Sequence, residues 1–265
     1  PVACGGPRGR LTIWDAARGS VAYQVSLSSE LITGVAFSPD GKHLAVSEQT
    51  GFVRLLDCRD WAQVGALEVR DTYGFRLAFS SDSTELGITG RGGVTLLAET
   101  AGFGILPRPS VHWLKGHTAV VHGICFSPTD GRVYSGSYDA TVRAWTPTRS
   151  TSLQFPLNAT AGFSVQLSRD GSRCLSPVTT THWIVRSTAD SALLAEFTLD
   201  KPGATSGLFH PDGRRVYIAS QGDVLLMDPS DFSSCRRVAA TPGHRPFAMT
   251  SVSPSGRYMT AFVYF

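Results

Sequence analysis

One pattern returns six times along the 265 residues: a short apolar run closing on Phe or an equivalent, then a small polar residue and a turn. The copies are Phe37-Ser38-Pro39-Asp40-Gly41-Lys42, Phe79-Ser80-Ser81-Asp82-Ser83 and Phe126-Ser127-Pro128-Thr129-Asp130-Gly131-Arg132. Leu167-Ser168-Arg169-Asp170-Gly171, Phe209-His210-Pro211-Asp212-Gly213-Arg214 and Val252-Ser253-Pro254-Ser255-Gly256-Arg257 follow. The anchors stand 41 to 47 residues apart. A period this steady means that each unit is one supersecondary element, too small to bury its apolar face alone and obliged to stack on its neighbours.

The unit around Phe126 reads as four strands. Val121–Phe126 forms strand a, and Pro128 to Gly131 the turn, where Pro fits because its fixed φ suits the bend and no N–H is needed. Val133–Ser137 forms strand b, Thr141–Trp145 strand c and Leu153–Phe155 strand d. Each is short and bounded by Gly, Pro, Asp or Ser. With 27 glycines and 15 prolines, turns are frequent, and few windows carry a helical period. The class is all-β.

Composition narrows the function classes. Apolar residues make up 42% and charged residues 17%, enough for a packed core and too little charge for a disordered chain. A net charge of +3 gives neither a nucleic-acid footprint nor a polybasic membrane patch. No apolar run approaches the roughly 18 residues of a membrane span, and no signal peptide is visible. Cys4, Cys58, Cys125, Cys174 and Cys235 are scattered without a C-x-x-C pair, which reads as reduced, intracellular thiols rather than a disulfide framework or zinc site. The sequon Asn158-Ala159-Thr160 is then a coincidence.

Gly116-His117, about 28 residues before Trp145, with Ser135-Gly136-Ser137-Tyr138-Asp139 between them, resembles the signature of the WD-repeat β-propeller family. Trp14-Asp15 supplies a literal WD pair and Gly243-His244 a second GH. The resemblance implies four-stranded antiparallel blades and a buried tetrad made of His117, Ser135 (or Ser137), Asp139 and Trp145, structural in role. Elsewhere the Trp position reads Leu56, Leu97, Arg186 and Met227, and the b–c Asp position Thr50, Arg91, Thr180 and Gln221.

Aligning both ends on this unit puts Val2–Gly6 and Tyr258–Phe262 each on a strand b. The expected ring is therefore seven-bladed, with five complete blades and two incomplete ones, and about 10–20 residues absent beyond each end. A closed six-bladed ring is the alternative. One domain over 1–265 is expected, with units near 1–28, 29–70, 71–115, 116–158, 159–200, 201–240 and 241–265.

Catalytic signals are weak. No nucleophile elbow or P-loop is present. Gly5-Gly6-Pro7-Arg8-Gly9 and Gly90-Arg91-Gly92-Gly93 look phosphate-friendly but fall on b–c connections, where tight turns call for Gly. His112, His117 and His122 are five apart, a spacing that suits one face of neither helix nor strand, so no metal is expected. Asp40, Asp82, Asp130, Asp170 and Asp212 sit in separate a–b turns, too far apart to pair for acid–base work. Arg214-Arg215 and Arg236-Arg237 read as solvated faces, and residues 101–109 as a small projecting insertion. Trp14-Asp15-Ala16-Ala17-Arg18 and Leu56-Asp57-Cys58-Arg59 each depart by one feature from the Trp-Asp-x-Arg of propellers that serve cullin ubiquitin ligases.

Loops on a rigid ring are what remains. The b–c positions are Arg8, Gln49, Arg91, Tyr138, Thr180 and Gln221, and the residues entering strand a are Leu31, Tyr73, Val120, Ala161, Gly203 and Pro246. Arg91, Tyr138 and Tyr73 stand out, because Tyr and Arg are enriched at interface hot spots. The expectation is a non-enzymatic intracellular scaffold, cytoplasmic first with a cytoskeletal, ciliary or nuclear setting as the alternatives, that presents Arg8, Gln49, Tyr73, Arg91, Tyr138, Thr180 and Gln221 to protein partners. No cofactor, metal, nucleic acid, membrane insertion or small-molecule substrate is expected. An architectural propeller of a long cytoskeletal or ciliary protein, a cullin-ligase substrate receptor and a propeller enzyme or ligand sensor are the alternatives.

Overall fold

A computed structural model describes residues 2–15, 18, 20–69, 76–90, 94–103, 111–146, 151–156, 164–200, 203–220, 223–240, 245–252 and 259–264. Its strands fall into seven antiparallel sheets in chain order. Unit 1 has three strands, β1 (Val2–Gly5), β2 (Arg10–Asp15) and β3 (Ser20–Ser26). Unit 2 has β4 (Ile32–Phe37), β5 (His43–Glu48), β6 (Phe52–Asp57) and β7 (Gln63–Glu68). Unit 3 has β8 (Leu77–Phe79), β9 (Glu85–Thr89), β10 (Val94–Glu99) and β11 (Val111–Lys115). Unit 4 has β12 (Val121–Phe126), β13 (Val133–Ser137), β14 (Thr141–Thr146) and β15 (Thr151–Pro156). Unit 5 has β16 (Gln166–Leu167), β17 (Arg173–Pro177), β18 (His182–Ser187) and β19 (Leu193–Thr198). Unit 6 has β20 (Ala204–Phe209), β21 (Val216–Ser220), β22 (Asp223–Asp228) and β23 (Asp231–Ala240), and unit 7 the pair β24 (Arg245–Val252) and β25 (Met259–Tyr264). Seven sheets leave no room for the six-bladed alternative. The helical content among the described residues is one 3-10 turn at Thr100–Gly102.

Sequential units pack through their first strands. β4 meets β8, β8 meets β12, β12 meets β16, β16 meets β20 and β20 meets β24, which makes strand a the inner layer. Burial follows from that order. Strand b is covered on both faces, so β9, β13 and β21 are almost uniformly buried and read as continuous runs of apolar and small residues. The last strands β3, β7 and β19 are largely exposed, as an outer edge should be. The apolar clusters therefore lie between units. Leu11 and Ile13 pack on Leu44 and Leu56, Leu55 and Leu67 on Phe79 and Ile88, and Trp183 and Phe197 on Phe209 and Met227.

Two features tighten the stack. The a–b turns repeat one hydrogen-bond pattern, in which Ser38, Ser80 and Ser168 each donate to the Asp two residues on at 2.6 Å and accept the N–H five residues on at 2.9 Å. The Asp40 N–H then donates across the unit boundary to Ser83 Oγ at 3.1 Å. Close approach is the other feature: a Cβ on Gly207 of β20 would lie 2.7 Å from Trp183 and 2.9 Å from Leu175 in the preceding unit. Gly207→Ala is expected to cost about 1–3 kcal/mol by overpacking. Urea unfolding should show a lower midpoint with an unchanged slope; a wild-type midpoint would contradict the packing.

Register corrects one sequence reading. In unit 4 the Trp position, Trp145, lies opposite the first residue of strand b, Val133. The same place holds Leu56 opposite Leu44, Arg186 opposite Cys174 and Met227 opposite Val216. In unit 3 it holds Ala98, opposite Leu86, while Leu97 pairs with Gly87, one place away in the register.

Candidate functional site

The b–c turns and the entries to strand a share one end of the sheets, because strands a and b are antiparallel: Ile32 pairs with Glu48, Val121 with Ser137 and Ala204 with Ser220. Backbone bonds lock the two sets of loops together. The Gln49 N–H donates to Leu31 O at 2.9 Å, and the Tyr138 N–H to Val120 O at 3.0 Å. In unit 1 the turn carries two consecutive residues at positive φ, Arg8 at 54° and Gly9 at 61°. Gly9 donates to Glu30 O, and a Cβ there would sit 2.5 Å from the backbone of Ser28, so the glycine is required by contact as well as by conformation.

Arg8, Gln49, Tyr138 and Thr180 are all exposed on these turns, Tyr138 at 42%. Tyr73, Arg91 and Gln221 lie outside the described residues, as do Ala161 and the 104–109 part of the insertion. The a–b turn aspartates are at the opposite end of the sheets, in separate units. At the c–d turns Arg59 folds back onto Asp57 at 2.6–3.1 Å, and this hydrogen bond holds the Asp57 carboxyl down to about 2.

The structure adds a feature without a clear signal in the sequence. Strand a carries an extra residue at the same place in three units, between Ile32 and Gly34, Val121 and Gly123, and Ala204 and Ser206. Such a bulge leaves its residue out of the ladder and re-aims its side chain. The bulged residues are Thr33, His122 and Thr205, each four positions before the anchor of its copy. Thr33 turns its hydroxyl onto Ser47 O at 3.2 Å. The His122 ring stands edge-on to Tyr138, centroids 4.7 Å apart. Burial pulls the His122 pKa down to about 4, with the nearby Arg76 charge as a second cause.

Beside this face lies a buried network. The Trp145 indole N–H donates to Ser135 Oγ at 2.7 Å; Ser135 Oγ and His117 Nε2 are 2.8 Å apart, as are His117 Nδ1 and Asp139 Oδ2. Thr141 Oγ1 donates to Asp139 Oδ1 at 2.6 Å, and the Thr118 N–H to Oδ2 at 2.9 Å. Burial lowers the His117 pKa, partly opposed by Asp139. Burial would raise Asp139, but the donors from Thr141, Thr118 and His117 outweigh it and keep the carboxyl low. One proton arrangement satisfies all of this: Asp139 accepts from Nδ1–H, Nε2 accepts from Ser135, and Ser135 accepts from Trp145. Ser137 takes another role, donating to Ala119 O at 3.1 Å. The chain Ser–His–Asp has the connectivity of a hydrolase triad, yet Ser135 is fully buried and its oxygen is occupied by the indole. Trp145, 1% exposed, fills the space against Leu114 and Ala78 of unit 3. Trp14 has the matching position in unit 1. There Leu11 and Ile13 face unit 2, and Trp14 points the other way at 39% exposure.

Among the described residues no group of three or more His, Cys, Asp or Glu could hold a metal ion. His112 is exposed on β11, His117 is in the network and His122 on the bulge, so the three do not converge. No described helix is long and apolar enough to cross a membrane.

Inner strands stacked sheet to sheet, with loops gathered at one end, define a β-propeller. The solved structure of a mitotic checkpoint complex contains a chain that superposes with a TM-score of 0.82 at 19% identity, covering 98% of this chain and 79% of that one. The family model for the WD domain, G-beta repeat, matches residues 23–57 and 108–146. The WD repeat-containing protein SL1-17 of Schistosoma mansoni is 26% identical over 130 residues, 49% of this chain and 41% of that protein. THO complex subunit 3 of Arabidopsis thaliana is 31% identical over 140 residues, 50% of this chain and 40% of that protein. These matches span less than half the length of either relative. Residues 23–57 and 108–146 thus match the WD repeat, and the fold is that of a β-propeller.

Two outcomes test the network and the bulge. Trp145→Ala should cost about 3–5 kcal/mol, from the cavity it opens. Ser135→Ala, which strands two buried partners, should cost about 1–3 kcal/mol for each. Thermal unfolding of both variants reads this, and wild-type stability would contradict it. His122 is depressed in the folded state, so its contribution is complete above an unfolded value near 6.5 and lost as pH falls toward about 4. Between those pH values His122→Gln should lose less stability than the wild type; parallel curves would contradict the burial of the ring.

Proposed function

We propose that the chain is a non-enzymatic protein-interaction platform whose b–c turns and strand-a entries form the docking face. The observation that carries this is the pair of backbone clamps, Gln49 to Leu31 and Tyr138 to Val120, which hold exposed side chains at set positions. A face already ordered loses little conformational freedom on binding, so contacts made there count more fully toward affinity. The docking set is Arg8, Gln49, Tyr73, Arg91, Tyr138, Thr180 and Gln221, joined by His122. The buried network beside it keeps the turn of unit 4 in place, with Ser135 shielded from any substrate.

The comparisons support this reading: one relative is named as a subunit of the THO complex, and the superposed chain belongs to a mitotic checkpoint complex. The partners are proteins of an intracellular, cytoplasmic setting, consistent with five unpaired cysteines. Residues 1–265 act as one propeller domain, with the unit boundaries expected from the repeat.

Affinity capture from native extract, comparing wild type with an Arg91→Glu/Tyr138→Ala double variant, tests the face. Particular proteins should drop out with the variant while its Tm holds. Identical recoveries from both baits would place recognition elsewhere on the molecule.

A further inference from the structure

The turn between β1 and β2 holds a long charged side chain at a strained backbone position. The Gly6 N–H donates to Arg10 O at 2.9 Å and the Arg10 N–H to Pro7 O at 3.3 Å, closing a hairpin with Arg8 and Gly9 at its tip. Two consecutive positive φ values, 54° and 61°, mark a type I′ turn, whose central places suit Asn, Asp and Gly. The other described b–c turn residues at positive φ are small, Gly51 at 89° and Ala140 at 66°. An arginine in the left-handed region costs stability that a glycine would not, and such an outlier points to a use for the side chain.

Arg8 and Arg10 are both exposed, two residues apart on this hairpin. Among the described residues no carboxylate lies within ion-pair distance of either. Glu30, whose carbonyl accepts the Gly9 N–H, has its carboxylate on the Ser29 hydroxyl at 3.2 Å. Two other acids at this end are already paired, Glu48 with Arg54 at 2.7 Å and Asp139 with His117 at 2.8 Å. The hairpin is also fixed to its surroundings: the Leu27 N–H donates to Gly9 O at 2.9 Å and the Ile32 N–H to Gly6 O at 3.2 Å. Two guanidiniums on a rigid tip make a preorganised fork for oxyanions, because their planar donors match a carboxylate and the backbone loses little freedom on binding.

We propose that Arg8 and Arg10 form the part of the docking face that takes an acidic peptide segment of a protein partner, each guanidinium pairing with an Asp or Glu carboxylate. The assignment rests on the docking-face reading for its location, and it adds Arg10 to the docking set. Charge sets the class. A net charge of +3 and a single pair of arginines cannot neutralise the many phosphates of a nucleic-acid track, whereas two carboxylates of a short acidic segment match them.

Fluorescence anisotropy of labelled hexaglutamate, titrated with the full chain at low salt, tests the fork. Binding should saturate, weaken with added salt, and fall at least about tenfold in Arg8→Gly/Arg10→Gln. Thermal unfolding separates this from a structural role: Arg8→Gly alone relieves the backbone, so its Tm should hold or rise while binding weakens. No saturable binding, wild-type affinity in the double variant, or a lower Tm in Arg8→Gly would overturn the assignment. So would a short oligothymidylate that binds more tightly than hexaglutamate. Loss of hexaglutamate binding in Arg91→Glu/Tyr138→Ala, with none in Arg8→Gly/Arg10→Gln, would overturn the fork and leave the docking face standing.

Discussion

Strand b of each complete unit is buried on both faces, and neither face can be covered by its own sheet. Units on both sides have to be present, so packing between units carries the stability that a single core supplies elsewhere. Residue choice follows the gap each side chain meets. Gly207 is required because Trp183 arrives from the preceding sheet, and Ala98 and Trp145 occupy one structural place with different sizes. A substitution in one unit is therefore felt as a change at a boundary.

The same constraint separates the two ends of the sheets. At one end the a–b turns repeat a Ser–Asp pattern that serves the chain itself, with Asp40 reaching Ser83 across a boundary. At the other end the b–c turns are held by backbone bonds, so their side chains are free to differ from unit to unit. Arg8, Gln49, Tyr138 and Thr180 share position and exposure while differing in chemistry, which is how a repeat array builds a surface that is not itself repetitive.

Much of this was legible in the sequence, because the period and the Phe-anchored turns fix strand order. The spacing in unit 4 was enough to locate its four strands near their observed limits. Leu97 was misread in place of Ala98 because two adjacent apolar residues leave the alternation ambiguous, and register alone resolves it. The bulges at Thr33, His122 and Thr205 were not legible, since an extra residue in a short strand changes pairing without changing composition.

Hydrogen–deuterium exchange of the full chain, alone and saturated with a protein captured on it, tests the docking face most directly. Slowed exchange at 31–33, 49–51, 120–122 and 138–140, with the a–b turns at 38–43 and 168–173 unchanged, is the predicted result. Protection at those a–b turns, with the b–c turns exchanging as in the free chain, would contradict it.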